Sequence, residues 1–357
     1  MERKLLAQDL LNRIAPLNDN DEGTRVLQFS KRMAKIYQNQ IDSFDDDEDA
    51  KRWREFYSVR NMPPPGRTKN KADVAAQIAF YFPTHYFKFQ NVVVYQMLEF
   101  ISSQRGFNPY PFGATAITLI DIGAGTGAAT MAILDLLATW ADILAEHGYK
   151  QLGLRIKVVT VEPDRNKDSI RRELFTAMAS SVDRHMIDIE SSKMVGLPYP
   201  DNQCIRQIHR NSESGPMAIC YMSNLMHGLT KYKPKQFVAD RNDTIYNLEE
   251  IMQLNFSSEA VREVIQQCGV VSRDLIAGLP HRKKLFLSSE VESQGTALQE
   301  FASAIGRSIG NKVRPNRVRF INSPGSYWYT LQNPEKIVEV DYWSLAHLDQ
   351  QAGSRPV

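Results

Sequence analysis

Cysteine is scarce: three residues, Cys204, Cys220 and Cys268, in 357. They lie far apart, and no C-x-x-C pair or Cys/His cluster exists. That spacing argues against a zinc or iron–sulfur site, and no metal is expected. An odd, sparse set suits a reducing compartment, so a cytoplasmic location is expected. Net charge is also small. Forty-three basic side chains against 41 acidic ones leave +2, so the whole molecule is no electrostatic glue for nucleic acid. Long apolar runs are missing too. None approaches 18 residues, so no membrane span is expected, and the opening MERKLLAQDL has no core of signal-peptide length. What is present is ordinary globular composition, 43% hydrophobic and 24% charged. The length allows one large domain with additions, or two domains, with a core that needs no disulfide.

Residues 1–60 read as helices with a polar interruption. Leu5, Leu10, Leu11 and Ile14 form one apolar stripe, and Val26, Phe29, Met33 and Ile36 a second at helical spacing. The acidic run Asp45–Asp49 reads as a solvated loop. A basic stretch follows over 51–71, broken by Pro63–Gly66 (PPPG). A helix starts near Ala72, Pro83 interrupts it, and a second helix runs to about Ser102. Asn108–Gly113 is a turn-rich linker. From Ala114 the pattern changes to alternating strands and helices. Strands are expected at Ala116–Ile122, Leu154–Val161, His185–Ile189, Met217–Met222 and Lys284–Val291. Helices are expected from about Gly127 to His147 and over Asp168–Ser180. Residues 229–282 read as a helical insertion. Val318–Leu331 reads as two strands joined around Ser323–Gly325, and Ile337–Asp341 as a last edge strand or tail. This alternation implies an α/β fold: an open, mainly parallel sheet with helices on both faces.

The sharpest signal is Asp121-Ile122-Gly123-Ala124-Gly125-Thr126-Gly127, where a strand meets a helix. Glycines there let the backbone turn tightly and approach a ligand, and the helix start supplies unpaired N–H groups. Two cofactor classes fit. Gly123, Gly125 and Ala128 satisfy the dinucleotide pattern G-x-G-x-x-G/A. S-adenosylmethionine fits as well, with Asp121 placed to hold the methionine amino group, directly or through water. Glu162, at the end of the next strand, can accept both ribose hydroxyls of either cofactor.

In DIGAGTG (Asp121–Gly127), the acid of VEPD (Glu162), and LPYPDN (Leu197–Asn202) before a strand ending SNLMHGL (Ser223–Leu229), the sequence resembles the class I S-adenosylmethionine-dependent methyltransferases. The resemblance covers about residues 114–331. It implies a seven-stranded, mostly parallel Rossmann-like sheet. Residues 114–357 would form the cofactor-binding catalytic domain, with the helical insertion at about 229–282, and 1–113 a helical extension or lid. It also implies that the glycine loop contacts the methionine part, Glu162 the ribose, and an acid after the third strand, here Asp188, the adenine amino group. The cofactor-side residues are then Asp121, Gly123, Ala124, Gly125, Gly127, Glu162, Pro163, Asp188 and Ser223. The sequence departs from the family in the long gap from Gly127 to Glu162, in the stretch Cys204–Gly215, and in the insertion. Tyr81–Lys88 (YFPTHYFK) is similar to the Pro-x-x-Tyr helix start of the ribosomal small-subunit methyltransferase-like family, although the cysteine cluster of many members is missing.

The acceptor side follows from the strand ends. His227 is a general-base candidate near neutral pH, Asn224 can orient an acceptor, and Glu290 is a second base candidate. His85, Tyr86 and Tyr327 are candidate acceptor contacts. Additions flanking the sheet favour a small or medium-sized acceptor. The basic stretches 51–71 and 307–319 leave RNA as an alternative, and a non-catalytic S-adenosylmethionine-binding assembly factor is a third reading.

Overall fold

The computed structural model describes residues 2–18, 23–44, 48, 68, 70–103, 106–190, 193–197, 201–223, 259–291, 298–299, 301, 303, 319–330 and 337–348. The element order is α1 (Glu2–Ile14), β1 (Val26–Gln28), α2 (Lys31–Asp42), α3 (Lys71–Ser103), β2 (Ala116–Ile122), α4 (Ala128–Glu146), β3 (Leu154–Val161), α5 (Asp168–Ser180), β4 (Ile187–Ile189), β5 (Lys193–Val195), α6 (Asn202–Asn211), β6 (Gly215–Ser223), α7 (Glu259–Gly278), β7 (His281–Val291), β8 (Arg319–Thr330) and β9 (Val338–Leu348).

The strands form one sheet in the order β1-β8-β9-β7-β6-β2-β3-β4, with β5 also on β3. Every pairing is parallel except those of β9, which runs antiparallel between β7 and β8. Among the described residues there are nine strands rather than the expected seven. The segments β4 and β5 divide one edge position, and β1 adds a strand at the other edge. The continuous apolar run of β2 is explained by its place: β3 and β6 flank it, and six of its seven residues are buried.

Each face of the sheet carries its own core. One core joins β-strand residues such as Leu119, Tyr221 and Leu287 to Leu6, Leu10 and Ile14 of α1, Met33 of α2, Phe87 of α3, Trp140 of α4 and Leu174 of α5. The other joins Ile120, Val159 and Phe286 to Ile208 of α6 and Leu275 of α7. Helices α1, α2 and α3, which precede residue 114, therefore share a core with the sheet. The knot of this side is Asp135, fully buried on α4. Ser30, which caps α2 by accepting from the Met33 N–H, donates its hydroxyl to Asp135 Oδ1 at 2.6 Å. Tyr86 of α3 donates to Asp135 Oδ2 at 2.6 Å. Burial pushes the Asp135 pKa up, and these two hydrogen bonds oppose the shift.

Helix α4 is apolar on all sides because helices and sheet surround it. By length and composition it is, among the described residues, one helix that could cross a membrane, against expectation, but 89% of its 18-residue apolar window is buried inside the protein. Four further readings are corrected. Pro83 does not end a helix: α3 runs through it, held by the Tyr327 hydroxyl donating to the Thr84 carbonyl at 2.7 Å and by Thr84 Oγ1 3.2 Å from the Tyr329 hydroxyl. Val26 belongs to β1, not to a helix. Strand β8 is continuous through Ser323–Gly325. Among the described residues, β8 has a neighbour on one side only at Pro324, where a missing N–H is tolerated. At Gly325 a Cβ would stand 2.8 Å from the Tyr342 ring, so only glycine lets that ring pass. Finally, β9 is an interior strand rather than an edge.

Candidate functional site

The turn after β2 is built by backbone conformation. Gly123, Gly125 and Gly127 all lie in the left-handed region, at φ of +73°, +53° and +87°. The Gly123 and Ala124 N–H groups donate to the Val161 carbonyl at 2.9 and 3.1 Å, so the turn is stitched to the end of β3. Glu162 then closes it from below. Its Oε2 accepts from the Gly125 N–H at 2.7 Å and its Oε1 from the Asp164 N–H at 2.9 Å. Buried Arg171 of α5 donates through Nη1 to the Gly125 carbonyl at 2.6 Å and pairs with Asp168 through Nη2. The loop is thus pinned at its N–H by a carboxylate and at its C=O by a guanidinium.

Asp121 sits beneath this turn, 1% exposed. Its Oδ2 accepts the Thr130 hydroxyl at 2.6 Å, and Thr130 Oγ1 lies 2.6 Å from the Tyr221 hydroxyl. Burial raises the Asp121 pKa to about 7; the Thr130 hydrogen bond and Arg171 oppose the shift, and Glu162 adds to it. Pro163 is exposed on the loop beyond Glu162.

Asp188 does not join this group. In the register of β4, Asp188 pairs with Arg155, at the start of β3, whereas Glu162 follows the end of that strand. Six residues of extended chain separate Arg155 from Val161, roughly 20 Å. The strand that reaches the rim is β5, where Val195 pairs with Val161 and its carbonyl accepts the Glu162 N–H at 3.1 Å. Gly196 and Leu197 therefore stand where an acid was expected. The signal for this was the short Lys193-Met194-Val195, which a three-residue strand barely raises above a loop.

A neighbour the sequence did not reveal is Thr68. Its N–H and hydroxyl both donate to Asp164 Oδ2 at 2.8 Å, and its carbonyl accepts from Asn166 Nδ2 at 2.7 Å. Asp164 Oδ1 in turn accepts from the Asn166 N–H at 3.1 Å. Thr68 thereby braces the loop whose Asp164 N–H orients Glu162. Thr68→Val, which keeps the volume and removes the hydroxyl, is expected to weaken cofactor binding by about three- to tenfold, near the 0.5–1.5 kcal/mol of one hydrogen bond. Thr68→Ser should restore it, and calorimetry on both variants checks this.

On the acceptor side, the structure separates the candidates. Tyr86 is fully buried with its hydroxyl spent on Asp135, so it is a core residue and lines no acceptor site. Tyr327 is 3% exposed and binds the Thr84 carbonyl, so it too holds α3 in place. Trp328 alternates to the other side and is exposed, as its position in a strand requires. His85 is partly buried and stacks on Tyr81, with ring centroids 5.5 Å apart. Burial, then Lys88 and Lys167, lower its pKa to about 3, which keeps it neutral. Glu290 is fully buried in β7, with Trp343 of β9 as its register partner, rather than open on the rim. Ser223 ends β6. Asn224 and His227 lie outside the described residues, as do most of the stretches 51–71 and 307–319.

Among the described residues no group of His, Cys, Asp or Glu side chains could hold a metal. The three cysteines are buried, and burial pushes their thiols up, Cys204 to about 12.

The cradle fits an adenosyl cofactor on its own geometry. Each Glu162 oxygen accepts one backbone N–H and retains a lone pair for a ribose hydroxyl. A Cβ built on Gly125 would meet nothing nearer than the Gly123 carbonyl at 3.9 Å, so the turn leaves space above itself.

No family model and no curated protein matches the sequence. Solved structures do. A class I S-adenosylmethionine-dependent methyltransferase from Listeria monocytogenes, described as putative, aligns over 99% of this chain and 90% of its own, at 10% identity and a TM-score of 0.33. A precorrin-6y C5,15-methyltransferase from Geobacter metallireducens covers 65% and 80%, at 8% identity and 0.32. A SAM-dependent methyltransferase from Aquifex aeolicus covers 65% and 82%, at 10% identity and 0.26. In its mostly parallel sheet, its glycine turn after β2 and its acid after β3, the chain resembles the class I methyltransferases, and its cradle fits an adenosyl cofactor such as S-adenosylmethionine.

Proposed function

We propose that this chain is an S-adenosylmethionine-dependent methyltransferase that methylates an N or O nucleophile of a small or medium-sized acceptor. The observation that carries this reading is the left-handed glycine turn closed by the Glu162 carboxylate. When bound, the cofactor supplies an electrophilic methyl group on a sulfonium. The chain's own work is then to hold and align. Glu162 takes the ribose hydroxyls, the Gly123–Gly127 turn the methionine backbone, and Asp121 the ammonium. Ser223 stands at the end of β6, next to where the methyl must be, and Asn224 and His227 follow it in the chain as the orienting group and base. A small acceptor is supported by helix α3, which brings fully buried Lys88 within 3.4 Å of the Ser289 carbonyl and so encloses the rim of β7.

Glu162→Ala tests the cradle. It removes the ribose acceptor and strands two backbone N–H groups. Affinity for S-adenosylhomocysteine should fall by about 10- to 150-fold, the equivalent of 1.5–3 kcal/mol for hydrogen bonds to a charged group. Unchanged calorimetry would reject the ribose role, and tight NADH binding without S-adenosylhomocysteine binding would reverse the cofactor. Labelled S-adenosylmethionine incubated with cell extract, then split into metabolite, RNA and protein fractions, tests the acceptor. Label in the metabolite fraction is expected. Label in RNA would transfer the reading to an RNA methyltransferase using the basic stretches, and label nowhere would make the chain a binding factor.

A further inference from the structure

Along the carboxyl rim of the sheet, the register continues the cofactor row toward β7. Ile122 pairs with both Val161 and Met222, so Glu162, Gly123 and Ser223 follow at one level. Ser223 pairs with Ser289, and Ser289 with Ser344 of β9. Register partners share a face. Ser289 is on the same face as Leu285 and Leu287, whose core is the one that holds α3. At roughly 4.8 Å per strand, Ser223 is ~10 Å from Glu162 and Ser289 ~14 Å, which places them beyond the ribose in the direction of the methyl and the acceptor.

Two of these hydroxyls are anomalous. Ser223 Oγ and Ser289 Oγ are both buried, and neither has a hydrogen-bond partner. An unsatisfied buried polar group costs about 1–3 kcal/mol, so two adjacent ones on one face point to a missing ligand group. The third polar side chain here is Lys88, fully buried on α3, with its Nζ 3.4 Å from the Ser289 carbonyl. An ammonium and two hydroxyls are all able to donate. The charge of Glu290, the next residue of β7, also acts on Lys88.

We propose that Lys88, Ser223 and Ser289 form a subsite for a carboxylate carried by the acceptor. This rests on the methyltransferase reading and names the chemistry of its substrate: the carboxylate oxygens accept from the two hydroxyls and the ammonium, and so present the nucleophile beside β6.

The test uses the full chain saturated with S-adenosylhomocysteine, so that the cofactor cradle is filled. Acetate and benzoate are titrated against acetamide and benzamide, with binding followed by NMR. The carboxylates should bind at least about tenfold more tightly than the amides. Ser289→Ala and Ser223→Ala should each weaken carboxylate binding by about tenfold, the range of one hydrogen bond to a charged group, and Ser289→Ala should do so with S-adenosylhomocysteine affinity unchanged. Lys88→Met should abolish it; if that variant does not fold, the two serine variants decide. Equal binding of carboxylates and amides, or binding of neither, overturns the proposal. So does a carboxylate that displaces S-adenosylhomocysteine while Ser289→Ala weakens S-adenosylhomocysteine but not methylthioadenosine, because the carboxylate seated there would then be the cofactor's own. Failure of S-adenosylhomocysteine to bind the unaltered chain sinks the cofactor reading instead, and the same titration on the protein alone then decides this one.

Discussion

Gly125→Arg is expected to lower affinity for S-adenosylmethionine by more than about 100-fold in a protein that still folds, whereas Gly127→Ala is expected to damage the fold itself. The two glycines are two residues apart and both left-handed, so conformational cost alone does not separate them. It amounts to about 1–2 kcal/mol at either position. Surroundings separate them. A Cβ at Gly125 points into space, with the Gly123 carbonyl at 3.9 Å its nearest neighbour, so an arginine there grows into the volume above the turn. A Cβ at Gly127 stands 3.2 Å from both Arg171 Cγ and Phe175 Cε1. Both neighbours are buried, and Arg171 is the group that holds the Gly125 carbonyl. Thermal unfolding and calorimetry on the two variants check the contrast. An unchanged affinity in Gly125→Arg would refute the cradle.

The second large effect is one of pH. Asp121 is neutral below about 7 because burial disfavours its anion. S-adenosylmethionine carries an ammonium and a sulfonium, and both favour the ionised carboxylate. Affinity should therefore rise by about tenfold between pH 6 and pH 8, and level off above the pKa of the free protein. Asp121→Asn should bind more weakly at pH 8 and show no such slope. The stability of the free protein carries the opposite sign. The folded-state pKa is raised above the ordinary carboxylate value. This group's contribution is therefore complete below that ordinary value and is lost as pH rises through 7. Asp121→Asn should remove that decline, and melting temperatures at pH 5 and pH 8 measure it. A binding isotherm flat across this range would show that Asp121 does not meet the ammonium.

Much of the fold is legible in residue patterns because its central strands are buried on both faces. Ala116–Ile122, Leu154–Val161 and Asp168–Ser180 are read at their observed bounds, and the glycine turn and Glu162 come together as their spacing implies. The misreadings share a cause: long-range contacts outweigh local punctuation. Pro83 would stop an isolated helix, but Tyr327 and Tyr329 from β8 hold the next residue. Pro324-Gly325 would turn an isolated chain, but β9 pairs alongside it. Asp188 fails for a different reason. Its strand is real, but it pairs at the wrong end of β3, and register is a property of two segments that neither discloses alone. Thr68 carries no local signal because its partner, Asp164, is 96 residues away. Tyr86, a candidate acceptor contact by sequence, is a core residue because a buried acid 49 residues on takes its hydroxyl.

The carboxylate of Asp135 has a wider consequence. Its two oxygens are satisfied by hydroxyls from Ser30 and Tyr86, both upstream of the glycine-turn strand. Severing the chain at 113 would take both donors from that acid and bare the apolar sheet face that α1, α2 and α3 cover. A fragment beginning at 114 is therefore expected to aggregate through that bared face, and light scattering on it checks this.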